Sequence, residues 1–278
     1  MTLFPDDIFN LADIALEVAR TDPERLAVIA PDGRDRDGKR RYRRHTYREL
    51  SADIEATALG MRELGIAELT RTVFMAPASY AGAVAGLALT RVGATTVWID
   101  PSVGYRNVAE LLRRLEVEAF IGIRLAHLAR VAFGWGPRWT KKAIVLDGAF
   151  PGAHSLRSLH RPVTGAPTAP AVAPDCTATI MYTTGSTGPA KPALYEHRNL
   201  CNVFRLVHQT WRFEPDRVPV DMPVFPAFFS VGLSAGGTIV IPPIDYVRQR
   251  PATTDPRALL EVIHDCKVET LFASPVIL

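Results

Sequence analysis

Cysteine is scarce. Cys176, Cys201 and Cys266 are isolated and odd in number, which excludes a disulfide framework and gives no pairwise spacing for a zinc site. They are expected to be reduced, structural thiols. No apolar run approaches the length of a membrane span, and the acidic start Met1 to Asp7 lacks the pattern of a signal peptide, so a cytoplasmic location is the default expectation. Net charge is only +3, which leaves no global electrostatic case for nucleic acid. Two common catalytic signatures are also missing. Without Gly-x-Ser-x-Gly there is no α/β-hydrolase elbow, and without Gly-x-Gly-x-x-Gly after the first strand there is no Rossmann dinucleotide site. His197, His208 and His264 are unclustered, so they read as packing or surface histidines and no metal ligands are assigned.

The composition itself, 47% hydrophobic and 22% charged, is that of a globular chain long enough for one large or two ordinary domains. Ile8, Leu11, Ile14, Ala15 and Val18 recur at helical spacing up to Asp22-Pro23, and Leu26 to Ala30 follows as a strand. In Pro31 to His45, Asp32-Gly33 and Asp37-Gly38 both read as hairpin turns, and the basic run Lys39 to Arg44 reads as their solvated surface. Thr46-Tyr47-Arg48-Glu49 is a capping box opening a helix that closes near Gly65. Strands at 72–76, 95–99, 119–123 and 143–146 then alternate with helices at 80–92, 108–115 and 125–131. Such alternation predicts an α/β fold, a parallel sheet flanked by helices on both faces, with the Ala/Gly-rich helix at 80–92 lying close to the sheet. Prolines recur through 151–174, which predicts a connection between a first α/β subdomain (1–150) and a second one (175–278). In the second, 196–211 reads as an amphipathic helix, 256–264 as a helix opened by Asp255-Pro256, and 222–225, 238–241 and 268–272 as strands.

The chemistry concentrates at Thr183-Thr184-Gly185-Ser186-Thr187-Gly188-Pro189-Ala190-Lys191, directly after the apolar, β-branched run Thr177 to Tyr182. A strand, a turn rich in glycine and hydroxyls, and then a lysine are the parts of a polyphosphate-holding loop. Gly185 and Gly188 can turn amides toward an anion, Thr184, Ser186 and Thr187 add hydroxyl donors, and Lys191 adds a mobile point charge. The alternative is an ordinary surface turn. A Walker A loop is excluded, because only Ser186 and Thr187 separate the two glycines. A second stretch, Phe225-Pro226-Ala227-Phe228-Phe229-Ser230-Val231-Gly232, mixes aromatic with small residues and suits the wall of an acyl tunnel. Spacing alone is equally consistent with plain core packing.

The loop resembles the phosphate-loop signature of the acyl-adenylate-forming superfamily, which includes acyl-CoA synthetases, fatty-acyl-AMP ligases and luciferases. Thr183 to Gly188 and Lys191 match it, while Ala190 stands where proline is usual and Pro192 where glycine is usual. Pro192 removes a backbone donor and fixes φ, so weakened nucleotide affinity is expected. The stretches 185–191 with Tyr195-Glu196-His197, Val224 to Phe228, and Phe272-Ala273-Ser274-Pro275 look most like the β-lactone synthetases of bacterial olefin biosynthesis, within the fatty-acyl-AMP ligase-like branch. Where many members carry an aromatic-His pair, this chain has Phe228-Phe229.

The resemblance implies ATP and Mg²⁺ as cofactors, a fatty, 3-hydroxy acid as substrate, and olefin-pathway proteins as partners. It implies phosphate binding by Thr183, Thr184, Gly185, Ser186, Thr187, Gly188 and Lys191, and an acyl pocket at Phe228 and Phe229. It also places a Tyr-Gly-x-Thr-Glu segment, a ribose-binding Asp and a C-terminal catalytic Lys beyond Leu278. No catalytic residue is therefore assigned, and the chain is expected to be an N-terminal fragment, a truncated form or one part of a split enzyme. The alternatives are a fatty-acyl-CoA synthetase or acyl-AMP ligase, and an inactive remnant or binding module.

Overall fold

The computed structural model describes residues 7–99, 105–135, 140–162, 171–183, 191–212, 219–225, 228–246, 253–273, 275 and 277. In chain order these form α1 (Leu11–Thr21), β1 (Leu26–Arg34), β2 (Arg40–Thr46), α2 (Tyr47–Glu63), β3 (Arg71–Met75), α3 (Tyr80–Arg91), β4 (Thr95–Trp98), α4 (Tyr105–Arg114), β5 (Ala119–Gly122), α5 (Arg124–Phe133), β6 (Ala143–Val145) and β7 (His154–Ser155). After a 3₁₀ turn at Leu156–Leu159 come β8 (Thr177–Thr183), β9 (Lys191–Glu196), α6 (His197–Trp211), β10 (Val220–Asp221), α7 (Phe229–Ser234), β11 (Thr238–Val240) and α8 (Pro256–Cys266). Local signals set several of these ends. The Thr46 amide donates to the Glu49 carboxylate (3.0 Å) while the Glu49 amide donates to the Thr46 hydroxyl (3.2 Å), the reciprocal capping box expected at the start of α2. Asp255 caps α8 through the Arg257 amide (3.0 Å), with Pro256 in the first turn.

The chain divides into two units that interleave along the sequence. One comprises Met1–Ala52, Pro77–Ala83 and Asn202–Leu278, and the other Asp53–Ala76 and Val84–Cys201.

The second unit holds a seven-stranded sheet in the order β7-β6-β5-β3-β4-β8-β9, parallel throughout except for β9. Successive strand residues point to opposite faces, and both faces are apolar, as a sheet covered on both sides requires. Phe74, Ile121 and Ile144 pack with Met61 of α2 and Ala85, Ala88 and Leu89 of α3. Their neighbours Val73 and Phe120, with Ile180 of β8, pack on the other face with Val108 and Leu112 of α4 and Ala126 of α5. Each large aliphatic or aromatic side chain among them contributes about 1.5–3 kcal/mol on full burial. The close approach expected of α3 is present at Gly86, where an added Cβ would sit 3.6 Å from the Phe74 ring. α2 in turn packs tightly on the 3₁₀ turn: a Cβ on Gly60 would collide with the Leu159 carbonyl, so only glycine fits.

The first unit holds a four-stranded sheet, β10-β11-β1-β2, in which only β2 is antiparallel. α8 covers it through Leu259, Val262 and Cys266, packed on Ile29, Met222 and Val240. Glu261 of α8 receives Arg34 (2.7 Å) and Arg40 (2.9 Å), which pins part of the basic run.

Three expectations are corrected here. Of the two Asp-Gly pairs, only Asp37-Gly38 makes the hairpin turn. Asp32-Gly33 lies inside β1, where Gly33 (φ +73°) sits at a register shift between Pro31 and Arg34. The strands expected at 222–225 and 268–272 reduce to β10 and an isolated parallel bridge between Asp221 and Thr270. Backbone bonds do continue from the Met222 amide to the Thr270 carbonyl (3.0 Å) and from the Val224 amide to the Phe272 carbonyl (2.8 Å); Pro223 between them has no N–H for the opposite neighbour, and pairing with β11 stops at Asp221. Finally, β9 was not expected at all; the helix read from Glu196 begins at His197, and Glu196 closes the strand.

Candidate functional site

β8 is fixed on both sides. The Thr179 hydroxyl donates to the Thr96 carbonyl (2.9 Å) and the Thr95 hydroxyl to the Thr177 carbonyl (2.8 Å), cross-strand bonds that lock the register against β4. On the other side β9 pairs with it from Thr177↔Glu196 to Thr183↔Lys191. The core face of β8 is anchored by Ile180, 3% exposed, and by Tyr182, whose hydroxyl donates to the Leu111 carbonyl (3.4 Å). Trp98, the last residue of β4, pairs with Met181, so Tyr182 and Thr183 run beyond it.

This arrangement delivers the hydroxyl- and glycine-rich loop to a defined place. β3, β4, β5, β6 and β8 are parallel, so Met75, Trp98, Gly122, Val145 and Thr183 end at one edge, the carboxyl edge where open α/β sheets bind ligands. Thr184, Gly185, Ser186, Thr187 and Gly188 lie outside the described residues. Their two flanks are described: Thr183 ends β8, and Lys191, its register partner, opens β9 with an exposed side chain. The hairpin therefore closes the loop at its base with the lysine on the ligand edge. Pro192 stands opposite Tyr182 in β9, the edge strand of the sheet, which is where a missing amide is tolerated.

Beyond the hairpin, His197 is 1% exposed, and burial pushes its pKa down to about 4, so it is a neutral packing group near pH 7. Its amide donates to the Cys176 carbonyl (3.0 Å) and that of Arg198 to the Pro174 carbonyl (2.9 Å), tying the start of α6 to the entry of β8.

The two acyl-wall candidates lie in the other unit and part company. Phe229 opens α7 and is buried at 5% exposure, whereas Phe228 is 38% exposed and stacks on Phe272 with ring centroids 4.0 Å apart. Phe225 (6.4 Å) and Trp211 (6.5 Å) meet the same ring. An open aromatic patch thus gathers on Phe272, whereas Phe229 is a buried residue of α7. Sequence reasoning did not assign Trp211 or Phe272, which come from the end of α6 and the far end of the chain. No local pattern joins them.

Asp221 was also missed. It is 3% exposed, receives the Thr270 hydroxyl (2.8 Å), and is pushed up to about 6 by burial. A Cβ on Gly232 of α7 would sit 3.5 Å from its carboxylate and overlap the Ile239 side chain, so α7, which follows Phe228, is seated tightly over β10 and β11.

Residues 16–278 match the family described as AMP-binding enzyme. The chain is 34% identical to the olefin beta-lactone synthetase of Xanthomonas campestris pv. campestris, over 97% of this chain and 48% of that protein. It is 34% identical also to the olefin beta-lactone synthetase of Stenotrophomonas maltophilia, over 97% of this chain and 49% of that one. The chain spans about half the length of these curated relatives. Among solved structures, the long-chain-fatty-acid-CoA ligase of Archaeoglobus fulgidus shares the fold with a TM-score of 0.75 at 19% identity, covering 98% of this chain and 53% of that one.

Proposed function

The chain belongs to the AMP-binding enzyme family, and we propose that it provides the phosphate-holding part of an ATP-dependent ligase that activates a fatty, 3-hydroxy acid and closes it to a β-lactone. The observation that carries this reading is the β8–β9 hairpin, which sets Thr183 and Lys191 at the base of the loop on the ligand edge of the parallel sheet. In the reaction, the carboxylate attacks the α-phosphorus of ATP, pyrophosphate leaves and an acyl-adenylate forms. The substrate's 3-hydroxyl then attacks the activated carbonyl, losing its proton to solvent, and AMP departs as the four-membered ring closes. Holding both groups of one substrate makes the second step intramolecular, where effective molarities reach about 10⁵ M or more.

This chain's share is electrostatic. Lys191 and the donors of Thr183, Thr184, Gly185, Ser186, Thr187 and Gly188 would hold the β- and γ-phosphates and stabilise the departing pyrophosphate. Phe228, on the open patch around Phe272, would wall the acyl chain together with Phe229, which the fold buries in α7. Mg²⁺ would travel with the triphosphate and neutralise its charge. Among the described residues no group of three or more His, Cys, Asp or Glu could hold a metal, so no step is assigned to a protein-bound ion. No helix among the described residues is long and apolar enough to cross a membrane. A cytoplasmic setting and partners from an olefin pathway or a chain supplying further catalytic groups belong to the same proposal.

The test is the full-length protein incubated with ATP, Mg²⁺ and a 3-hydroxy fatty acid. β-Lactone, AMP and pyrophosphate are the expected products. Acyl-CoA formed only when CoA is added would replace the lactone reading with a CoA ligase, and absence of pyrophosphate–ATP exchange would leave an inactive remnant.

A further inference from the structure

α5 is polarised the wrong way for a surface helix. Its inward face carries Ala126, His127 and Arg130, all buried, so the only arginine after Arg124 lies beneath the helix. Its outward face carries Leu125 and Leu128, 53% and 56% exposed, with Val131 and Ala132 exposed beside them. A helix facing water normally does the reverse, and one that is apolar on its outer face as well is usually covered on both sides. Leu125, Leu128 and Ala132 recur at intervals of three and then four residues, the spacing of a helix–helix seam. No charged side chain interrupts the outward face between Arg124 and Gly134.

The two ends of this seam carry opposite charges. At the start, the Arg124 side chain is 63% exposed and its guanidinium stands 3.5 Å from Asp147. At the far end Glu116, 84% exposed, lines one groove with Phe133 and Gly134 and stands 3.5 Å from Arg71. Arg113, in the same groove, is already held by Glu110. Both end charges are loosely paired and reach solvent, so each can be shared with a neighbour. A ten-residue helix is about 15 Å long, which sets the separation between them. An anionic surface would match Arg124 and be repelled by Glu116; a basic one would do the opposite. What matches both is a second copy of the same face turned end for end. In that antiparallel arrangement Leu125 of one copy meets the small Ala132 of the other, and the two Leu128 side chains meet near the axis. Arg124 then reaches the second copy's Glu116, and the helix dipoles oppose one another.

We propose that the outward face of α5 is a self-association surface, on which two copies of the protein pair antiparallel about a two-fold axis near Leu128. One short helix per copy is a small interface, so a reversible dimer with a dissociation constant in the micromolar range is expected. The experiment is sedimentation velocity of the full-length protein from about 1 to 200 µM, a range that brackets such an affinity. Leu128→Glu sets two carboxylates against each other at the axis and should leave a monomer, with an unchanged melting temperature because the side chain is exposed. Arg124→Glu and Glu116→Arg should each weaken the dimer by about threefold to tenfold, and the double variant should return it to within about twofold of wild type. Restoration by the double variant cannot come from loss of folding, so the charge swap stays informative whatever the single variants do to stability. A wild type that is monomeric throughout, or a dimer that survives Leu128→Glu, would overturn the proposal. Single variants that weaken the dimer without rescue in the double would overturn the antiparallel arrangement. A monomer that instead sediments with phosphatidylglycerol vesicles would give the face to a membrane surface.

Discussion

The β8–β9 hairpin and the aromatic patch on Phe272 are built in opposite ways. The hairpin is one continuous segment whose strand is held by a buried Ile180, a parallel neighbour and two threonine bonds. The patch draws Trp211, Phe225, Phe228 and Phe272 from three separate stretches and leaves Phe225 and Phe228 more than a third exposed. A polyphosphate is small, highly charged and always the same shape, so a rigid local device suits it. An acyl chain is apolar and variable in length, and a wall of separately supplied rings can differ without disturbing the core. Rigidity and burial should therefore separate the two regions in any mutational experiment.

The largest effect is expected where the hairpin enters the core. Ile180→Ala should destabilise the chain by about 2–5 kcal/mol, because a well-packed cavity is left behind, whereas Phe228→Ala should change stability by less than about 1 kcal/mol. Urea unfolding of both variants checks this, and comparable losses would mean that the patch is as much a core element as the strand. Next comes Asp221, packed against α7. Its folded carboxyl keeps a proton up to about pH 6, while the unfolded one releases it near 3.8. The stability this proton provides is present at low pH and is lost as pH rises through that interval, a difference of about 3 kcal/mol. Asp221→Asn keeps an acceptor for Thr270 and should flatten the stability profile between about pH 4 and 6, with a gain at pH 7. A variant profile as steep as that of the wild type would place the titrating group elsewhere.

These two regions also mark how far the sequence could be read. The alternation of apolar strands and helices from Arg71 to Val145 carries the parallel sheet, because each strand must be apolar on both faces and each crossover must be helix-length. The capping box and the Asp255 cap are legible because they satisfy backbone donors within three residues. Hydroxyls and glycines clustered after a strand point to the proposed phosphate loop, of which only the flanks Thr183 and Lys191 lie among the described residues. What stays hidden is non-local. β9 carries Pro192 and only becomes a strand because β8 offers it a partner, and the bridge between Asp221 and Thr270 joins residues far apart in sequence. Phe228 and Phe229 are adjacent letters, yet α7 sends one to the surface and one to the core. Asp221 reads as an ordinary polar residue until the fold buries it.

Smaller effects should appear in ligand binding. Lys191→Ala removes the charge at the loop's base and is expected to weaken ATP binding by about tenfold to a hundredfold, the range of a charge-assisted contact, with little change in melting temperature because the side chain is exposed. Equilibrium dialysis with ATP measures it. Phe272→Ala should instead reduce affinity for a fatty acid by about tenfold or less and leave ATP unaffected. A variant that lost both ligands together would show that the two regions do not act separately.

The smallest effect is the most instructive. Reading the loop as an isolated motif makes Pro192 a lost phosphate donor, so Pro192→Gly should tighten ATP binding. Its position in β9 argues otherwise: residue 192 is paired with Tyr182 in an edge strand, one step past Lys191. Glycine there would relax a strand that proline keeps extended, and a loss of about 0.5–1 kcal/mol in stability is expected with ATP affinity within twofold. A tenfold gain in affinity would mean that the amide at 192 reaches the phosphates after all, and that the loop extends into what the structure draws as strand. An unchanged affinity would assign the whole anion-binding task to 183–191 and make the hairpin a support whose sequence can drift while its register is kept.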